Sequence, residues 1–249
     1  MDLHIALLAF AVGYFIGAIS FARVLTHVFA PGTDLTKTKI GSSAPSDTMT
    51  MEAVSATAVS MKVGPRLGFA TVVLDMLKIT IPTLAVKVLF PEGSYFLLTA
   101  TGGMIGHIWP VYYKFRGGRG LSAVYGGMFA IDWIGVFATA FGGVILGMFI
   151  LRNVLVAYMG GLWLLIPWLW FRTHDWTYVA YGIAVNIIFL LAMIPELRQM
   201  IRLRRQGVQA DFSKDMQLTA MGRGMYRMAR RFGVLKEESA GNGRSNRQG

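Results

Sequence analysis

The sequence predicts an all-α, polytopic membrane helix bundle of about seven transmembrane spans, and three observations carry that expectation. Hydrophobic residues make up 54% of the 249 positions. Mean hydropathy is +0.51, too apolar for a soluble domain. Charged residues are only 15% of the chain and gather in a few segments, leaving long apolar runs between them.

Those runs cover residues 5–27, 67–90, 96–113, 121–150, 154–170 and 177–195. One span needs about 20 apolar residues, so 121–150 is too long for a single crossing. Asp132-Trp133 divides it into 121–131 and 134–150. The first piece would reach only about 16 Å as a helix, which suits a tilted, re-entrant or internally packed segment.

Charge decides how often 121–150 crosses. With two crossings, Lys37, Lys39, Lys62, Arg66, Lys114, Arg116, Arg119, Arg152 and the 12 basic residues from Arg198 to Arg247 share one side, and Arg172 alone lies opposite. A single crossing would split the same residues 8 against 13. Cytoplasmic loops concentrate Lys and Arg, so the expected arrangement has seven crossings, an external N-terminus and a cytoplasmic C-terminus. Residues 5–27 lack an evident signal-peptide cleavage site and contain Arg23, which reads as a retained span.

Residues 1–195 thus form the bundle, with a cytoplasmic loop at 28–65 whose length argues for function. Residues 196–249 form a basic cytoplasmic tail. Glu196–Gln206 continues the last helix, and the Gly/Ser/Asn/Arg composition of 237–249 predicts disorder. Between them, Met221, Met225, Met228, Phe232 and Leu235 alternate with Arg223, Arg227, Arg230 and Arg231. That pattern fits a basic amphipathic helix on an anionic membrane lipid surface, and equally a helix that docks a protein partner.

The formal charge of +11 would suggest nucleic acid in a soluble protein. Here topology accounts for it, and no nucleic-acid partner is expected. The absence of Cys excludes disulfides, thiolate metal sites and thiol catalysis. His4, His27, His107 and His174 form no ligand cluster, so neither a metal nor a cofactor is expected.

Three polar constellations interrupt the apolar pattern. The segment Gly106–Gly120 ends an apolar run with His107 and Pro110, interleaves Gly117, Gly118 and Gly120 with Arg116 and Arg119, and opens a new run at Leu121. Glycine amides, a helix N-terminus and guanidinium forks together suit phosphate oxygens. A plain basic turn between two membrane helices carries the same residue types. Asp75 and Lys78 lie three apart in the second span, one helix face where they can pair. Charges inside spans mark functional cavities, or a pair that fixes helix packing. In the loop, Lys37-Thr38-Lys39-Ile40-Gly41-Ser42-Ser43 offers hydroxyls, a glycine and two ammoniums to a phosphate, and also reads as a solvated loop.

Together these residues resemble the bacterial acyl-phosphate:glycerol-3-phosphate acyltransferase family of the PlsY type. Gly13–Phe21 resembles the family's first helix, and Leu74-Asp75-Met76-Leu77-Lys78 its Leu-Asp-x-Leu-Lys signature. Gly106–Gly120 is close to the second motif, Gly-His-x-x-Pro-Val-x-x-x-Phe-x-Gly-Gly-Lys-Gly, with Arg119 in place of Lys. The first motif keeps its Gly41-Ser42 start, its end matching Ser55–Val59, but loses both asparagines. Lys62 is nearest to the Arg that follows it. Leu155 and Tyr158 replace serines after Arg152. The third motif, His-Arg-Glu-Asn, survives only as Glu196 within Ile194-Pro195-Glu196-Leu197.

The resemblance implies acyl transfer from acyl phosphate to the 1-hydroxyl of glycerol 3-phosphate, giving lysophosphatidic acid, in a multi-pass protein of the bacterial cytoplasmic (inner) membrane. It implies phosphate contacts from Lys39, Ser42, Gly117, Gly118 and Arg119. His107 is the catalytic candidate, and Asp75 and Lys78 support the substrate site. The lost motif residues leave a second expectation: a catalytically degraded relative that serves as a membrane subunit or lipid-binding scaffold.

Overall fold

The structure is a computed structural model that describes residues 2–205 except 37, 42–47, 52, 152 and 153. The basic stretch from Met221 to Leu235 and the expected disordered end lie outside the described residues.

The described bundle is helical, as expected. Helix α1 spans Leu3–Gly17 and opens on Asp2, whose carboxylate accepts the His4 and Ile5 amides at 2.8 and 3.2 Å, satisfying donors that a helix start leaves unpaired. The run 5–27 is not one continuous helix. It breaks at Ala18–Ser20 and resumes as α2, Phe21–Phe29. At the break the Arg23 amide bonds the Ser20 carbonyl at 3.1 Å. The Ile19 carbonyl instead accepts from Lys78 Nζ at 2.6 Å.

Helix α3 spans Ala56–Lys62, α4 Pro65–Leu89 and α5 Tyr95–Ile108. The helices α1 and α5 approach until their backbones touch. A Cβ on Gly13, Gly17, Gly102 or Gly106 would overlap backbone atoms of Thr99, Gly103, Phe10 or Tyr14 on the facing helix. Small residues spaced by four are the means by which membrane helices pack closely without a hydrophobic drive between them. The run 96–113 is shorter as a helix than its hydropathy suggests. It stops at Ile108, where Trp109 precedes Pro110 and leaves the helical region at φ −121° and ψ 69°. A single 3-10 turn, Val111–Tyr113, comes next.

Helix α6 spans Leu121–Ile131 and α7 Trp133–Ile145, the latter running into a π turn at Leu146–Ile150. Their junction at Asp132 lies where the sequence places it. Asp132 Oδ2 accepts from Trp168 Nε1 at 2.9 Å and Arg172 Nε at 3.2 Å. Lys87 Nζ donates to the Ala130 and Ile131 carbonyls at 2.8 and 3.0 Å, placing a cation at the negative end of α6. Helix α8 spans Val154–Thr173 and α9 Trp176–Arg205.

These contacts gather the turns α4/α5, α6/α7 and α8/α9 at one end of the bundle, with Trp170 and Trp176 stacked at 4.7 Å. Aromatic rings of this kind favour a membrane–water boundary. The opposite end carries the loop 28–65 and the glycine loop 109–120. The core between the ends holds Ile79, Met104, Met128, Leu162, Leu165 and Leu169. Large apolar side chains such as Phe69, Ile81, Phe141 and Phe171 face outward, the surface hydrocarbon requires. Among the described residues, three stretches, Leu3–Phe29, Trp133–Ile150 and Trp176–Gln199, are long and apolar enough to cross a bilayer.

The described residues of the loop 28–65 include regular structure. The loop holds an antiparallel pair that the all-helical expectation did not include: β1, Thr38–Gly41, and β2, Thr48–Met51, with Thr38 opposite Met51 and Gly41 opposite Thr48. Ser55 Oγ caps α3 by accepting from the Ala58 amide at 3.4 Å. Ala22, Leu35, Val54, Ala58 and Val59 close a small core that ties the loop to α2.

Candidate functional site

The glycine loop folds back on the helix it leaves. Gly117 N donates to the Ile108 carbonyl at 3.1 Å and Gly118 N to the His107 carbonyl at 3.0 Å. Carbonyls at a helix C-terminus have no partner inside the helix, and these two amides supply it. Gly117 and Gly118, expected from the sequence to offer N–H groups to phosphate, direct them in this structure at the end of α5. Their lack of a side chain has a second reason. A Cβ on Gly117 would overlap the His107 carbonyl, and one on Gly118 would overlap His107 Nε2. Lys114 and Phe115 adopt left-handed φ values of 52° and 59°. Such conformations cost on the order of 1–3 kcal/mol each and persist only where the surroundings enforce them.

Beneath the loop lies a buried polar network. Lys78 Nζ meets Asp75 Oδ1 at 2.7 Å, the Ile19 carbonyl at 2.6 Å and His107 Nδ1 at 3.1 Å. Asp75 Oδ1 also lies 3.8 Å from His107 Nδ1. Asp75, Lys78 and His107 are only 2%, 6% and 7% exposed. Charges at that depth need complete pairing, and an ammonium has three protons for three partners. His107 therefore turns Nδ1 to Lys78, and its Nε2 occupies the space a Gly118 side chain would need, an arrangement that packs the ring under the loop.

Arg119 points elsewhere. Its Nε donates to Glu196 Oε1 of α9 at 3.3 Å, with both side chains largely buried. Val54, at the entrance to α3, donates its amide to the Gly117 carbonyl at 2.9 Å. Lys62 Nζ donates to the Asp34 carbonyl. The end of the first-motif region, the second-motif loop and the one surviving third-motif residue thus meet at one end of the bundle. Lys39 lies in β1 opposite Thr50, and Ser42 lies outside the described residues.

Two groups at this end were not picked out as site residues from sequence. Tyr14 Oη donates to the Trp109 carbonyl at 3.0 Å. Arg23 Nη2 donates to the Arg116 carbonyl at 2.8 Å, with the guanidinium 4.9 Å from the Tyr113 ring centre. Arg23 carried a signal, being the only charge in the run 5–27 apart from its His residue. Glu196 carried another as the sole acid of α9.

Residues 7–206 match the family model described as glycerol-3-phosphate acyltransferase. The glycerol-3-phosphate acyltransferase of Pelagibacter ubique (strain HTCC1062) is 30% identical over 119 residues, 48% of this chain and 55% of that protein. The chain therefore spans about half the length of that relative. Glycerol-3-phosphate acyltransferase 3 of Dehalococcoides mccartyi is 26% identical over 208 residues, covering 78% of this chain and 92% of that protein. Among solved structures, PlsY, an integral membrane glycerol 3-phosphate acyltransferase in its glycerol 3-phosphate form, is similar in fold. The TM-score is 0.64 at 24% identity, with 82% of this chain and 94% of that chain covered. A family match over residues 7–206, on a fold shared with PlsY and around the Gly106–Gly120 segment, makes this chain a member of the glycerol-3-phosphate acyltransferase family.

Proposed function

We propose that this chain binds glycerol 3-phosphate at the glycine-loop end of the bundle and transfers to it an acyl chain from acyl phosphate. The 1-hydroxyl oxygen bonds to the acyl carbon, the bond from that carbon to the phosphate oxygen breaks, and inorganic phosphate leaves together with the hydroxyl proton. Lysophosphatidic acid remains in the membrane. The observation that carries this reading is the Arg119–Glu196 pair, which joins the loop to α9 at 3.3 Å.

A guanidinium has five N–H donors. With Nε held by Glu196, the two Nη groups form the fork that suits a phosphate. The N-terminus of α6 behind Arg119 adds favourable potential. Lys39 and Ser42 complete the phosphate contacts in this reading. In this reading His107, Asp75 and Lys78 act by supporting the loop from below.

Arg119→Ala is expected to weaken glycerol 3-phosphate binding at least tenfold, measured by calorimetry on folded protein, because a hydrogen bond to a charged group contributes about 1.5–3 kcal/mol. Absence of binding by the unsubstituted protein removes the reading.

The same proposal includes seven crossings of the bacterial inner membrane, with the glycine-loop end cytoplasmic. In this Cys-free chain, single cysteines at 34 and 174 are expected to label from opposite sides in oriented vesicles. Labelling of both from one side overturns the topology.

A second reading has its own support. The amides of Gly117 and Gly118 are taken up by α5, and Leu155, Tyr158, Pro195 and Leu197 stand where the resemblance places polar groups. Binding of an anionic lipid or a protein partner, through the basic tail and without turnover, supports a scaffold of acyltransferase fold.

A further inference from the structure

We propose that Arg23 is a positioning residue: it latches the strained turn Tyr113–Arg116 and thereby sets Arg119 in register with Glu196. Arg23 itself lies outside the motif residues. Arg23 sits on α2, just past the break in the first apolar run. Its Nη2 reaches 93 residues along the chain to the Arg116 carbonyl at 2.8 Å, and its plane lies 4.9 Å from the centre of the Tyr113 ring.

Two observations show that this contact is under load. First, Lys114 and Phe115, between the two residues Arg23 touches, are consecutive non-glycine residues in the left-handed region, at φ 52° and 59°. A turn in that state opens unless something outside it holds it. The turn's own bonds, Tyr113 N and Phe115 N to the Pro110 carbonyl at 3.1 and 3.0 Å and Arg116 N to the Tyr113 carbonyl at 3.1 Å, leave the Arg116 carbonyl to Arg23. Second, Arg23 Nε is buried with no hydrogen-bond partner among the described residues. An unpaired buried donor is unfavourable, so satisfying every N–H did not set the guanidinium's position. The Arg116 carbonyl and the Tyr113 face hold it, with the Asp34 carboxylate adding electrostatic attraction.

The residues just past the latch give it a use. Arg116 leads directly into Gly117 and Gly118, whose amides cap α5, and then into Arg119. If Arg116 swings out, those two amides lose their carbonyls and Arg119 leaves Glu196. Arg23 thus acts on the phosphate site through the loop, without touching it. The consequence for catalysis rests on the function proposed above; the latch itself does not.

Amide hydrogen exchange on the full chain in lipid tests it. In Arg23→Met, exchange at Gly117 and Gly118 is expected to quicken at least tenfold, while α8 keeps its protection as a measure of folding. Arg23→Lys, which can still donate but cannot lie flat on Tyr113, is expected between the two. Adding Lys114→Gly, which relieves the left-handed strain at an exposed side chain, is expected to return most of the lost protection. A merely packed Arg23 would show no such rescue. Should Arg23→Met not fold, Tyr113→Leu, which removes only the ring, carries the same comparison. Unchanged exchange at Gly117 and Gly118 in a folded variant, or no recovery with Lys114→Gly, overturns the latch. Glycerol 3-phosphate titration forms a separate arm: the binding constant is expected to weaken in parallel with the lost protection. No binding by the unsubstituted protein rejects the function reading, while the exchange data decide the latch.

Discussion

Lys78→Met is expected to destabilise the folded bundle by about 3–5 kcal/mol, the effect of removing one partner from a buried ion pair. Methionine fills similar space, so the loss is electrostatic. Three acceptors lose their donor together: Asp75 Oδ1, the Ile19 carbonyl at the helix break, and His107 Nδ1. Asp75, 2% exposed, has no water to replace the ammonium. Thermal unfolding in detergent should shift downward by on the order of 10 °C. Adding Asp75→Asn removes the stranded charge and is expected to recover part of the shift, because replacing both partners of a buried pair is far less costly than breaking it. A Lys78→Met protein with an unchanged transition, or a double variant less stable than the single one, contradicts this account of the network.

The same residues show what a sequence can and cannot display. Asp132 was legible as a helix junction because a lone carboxylate is costly in the middle of a span, and it interrupts a 30-residue apolar run. The break at Ala18–Ser20 was not, because one serine and no Gly or Pro mark it in the sequence. The partner of its Ile19 carbonyl is a long-range one, the Lys78 ammonium. The pairing of Asp75 with Lys78 is local and comes from helical spacing. The pairing of Arg119 with Glu196 spans 77 residues, and no periodicity connects them. Gly117 and Gly118 mark a place where a Cβ cannot fit. Sequence does not say whether a ligand or the protein fills that space. Here His107 and the end of α5 do, which turns an apparent anion cradle into a cap. The short pair of strands escaped notice because four residues on each side give too little alternation to separate a strand from a polar loop.

Acyl transfer from acyl phosphate is expected to be slow, at least about 10²-fold below a family member with complete motifs, since one lost transition-state hydrogen bond typically reduces turnover by about 10²–10³. The groups that survive maintain the scaffold: the glycine seam between α1 and α5, the Asp75–Lys78–His107 network and the loop cap. The groups that differ are those that would meet developing charge. Leu155 and Tyr158 replace the small serines expected from the resemblance, and Pro195 and Leu197 flank Glu196 without a donor for phosphate. Losses within one site do not simply add, so the deficit is bounded by the weakest remaining contact and not by their product. The measurement is incorporation of glycerol 3-phosphate into lysophosphatidic acid by purified protein in lipid, with acyl phosphate and acyl-CoA as separate donors. Slow turnover that falls further in Arg119→Ala places the residual chemistry at the glycine loop. Rapid turnover abolished by Arg119→Ala would mean that other residues have rebuilt the lost contacts, with Lys62 at the end of α3 the first to substitute. Binding of glycerol 3-phosphate without any turnover would identify a fold that has kept its phosphate contact after losing the reaction.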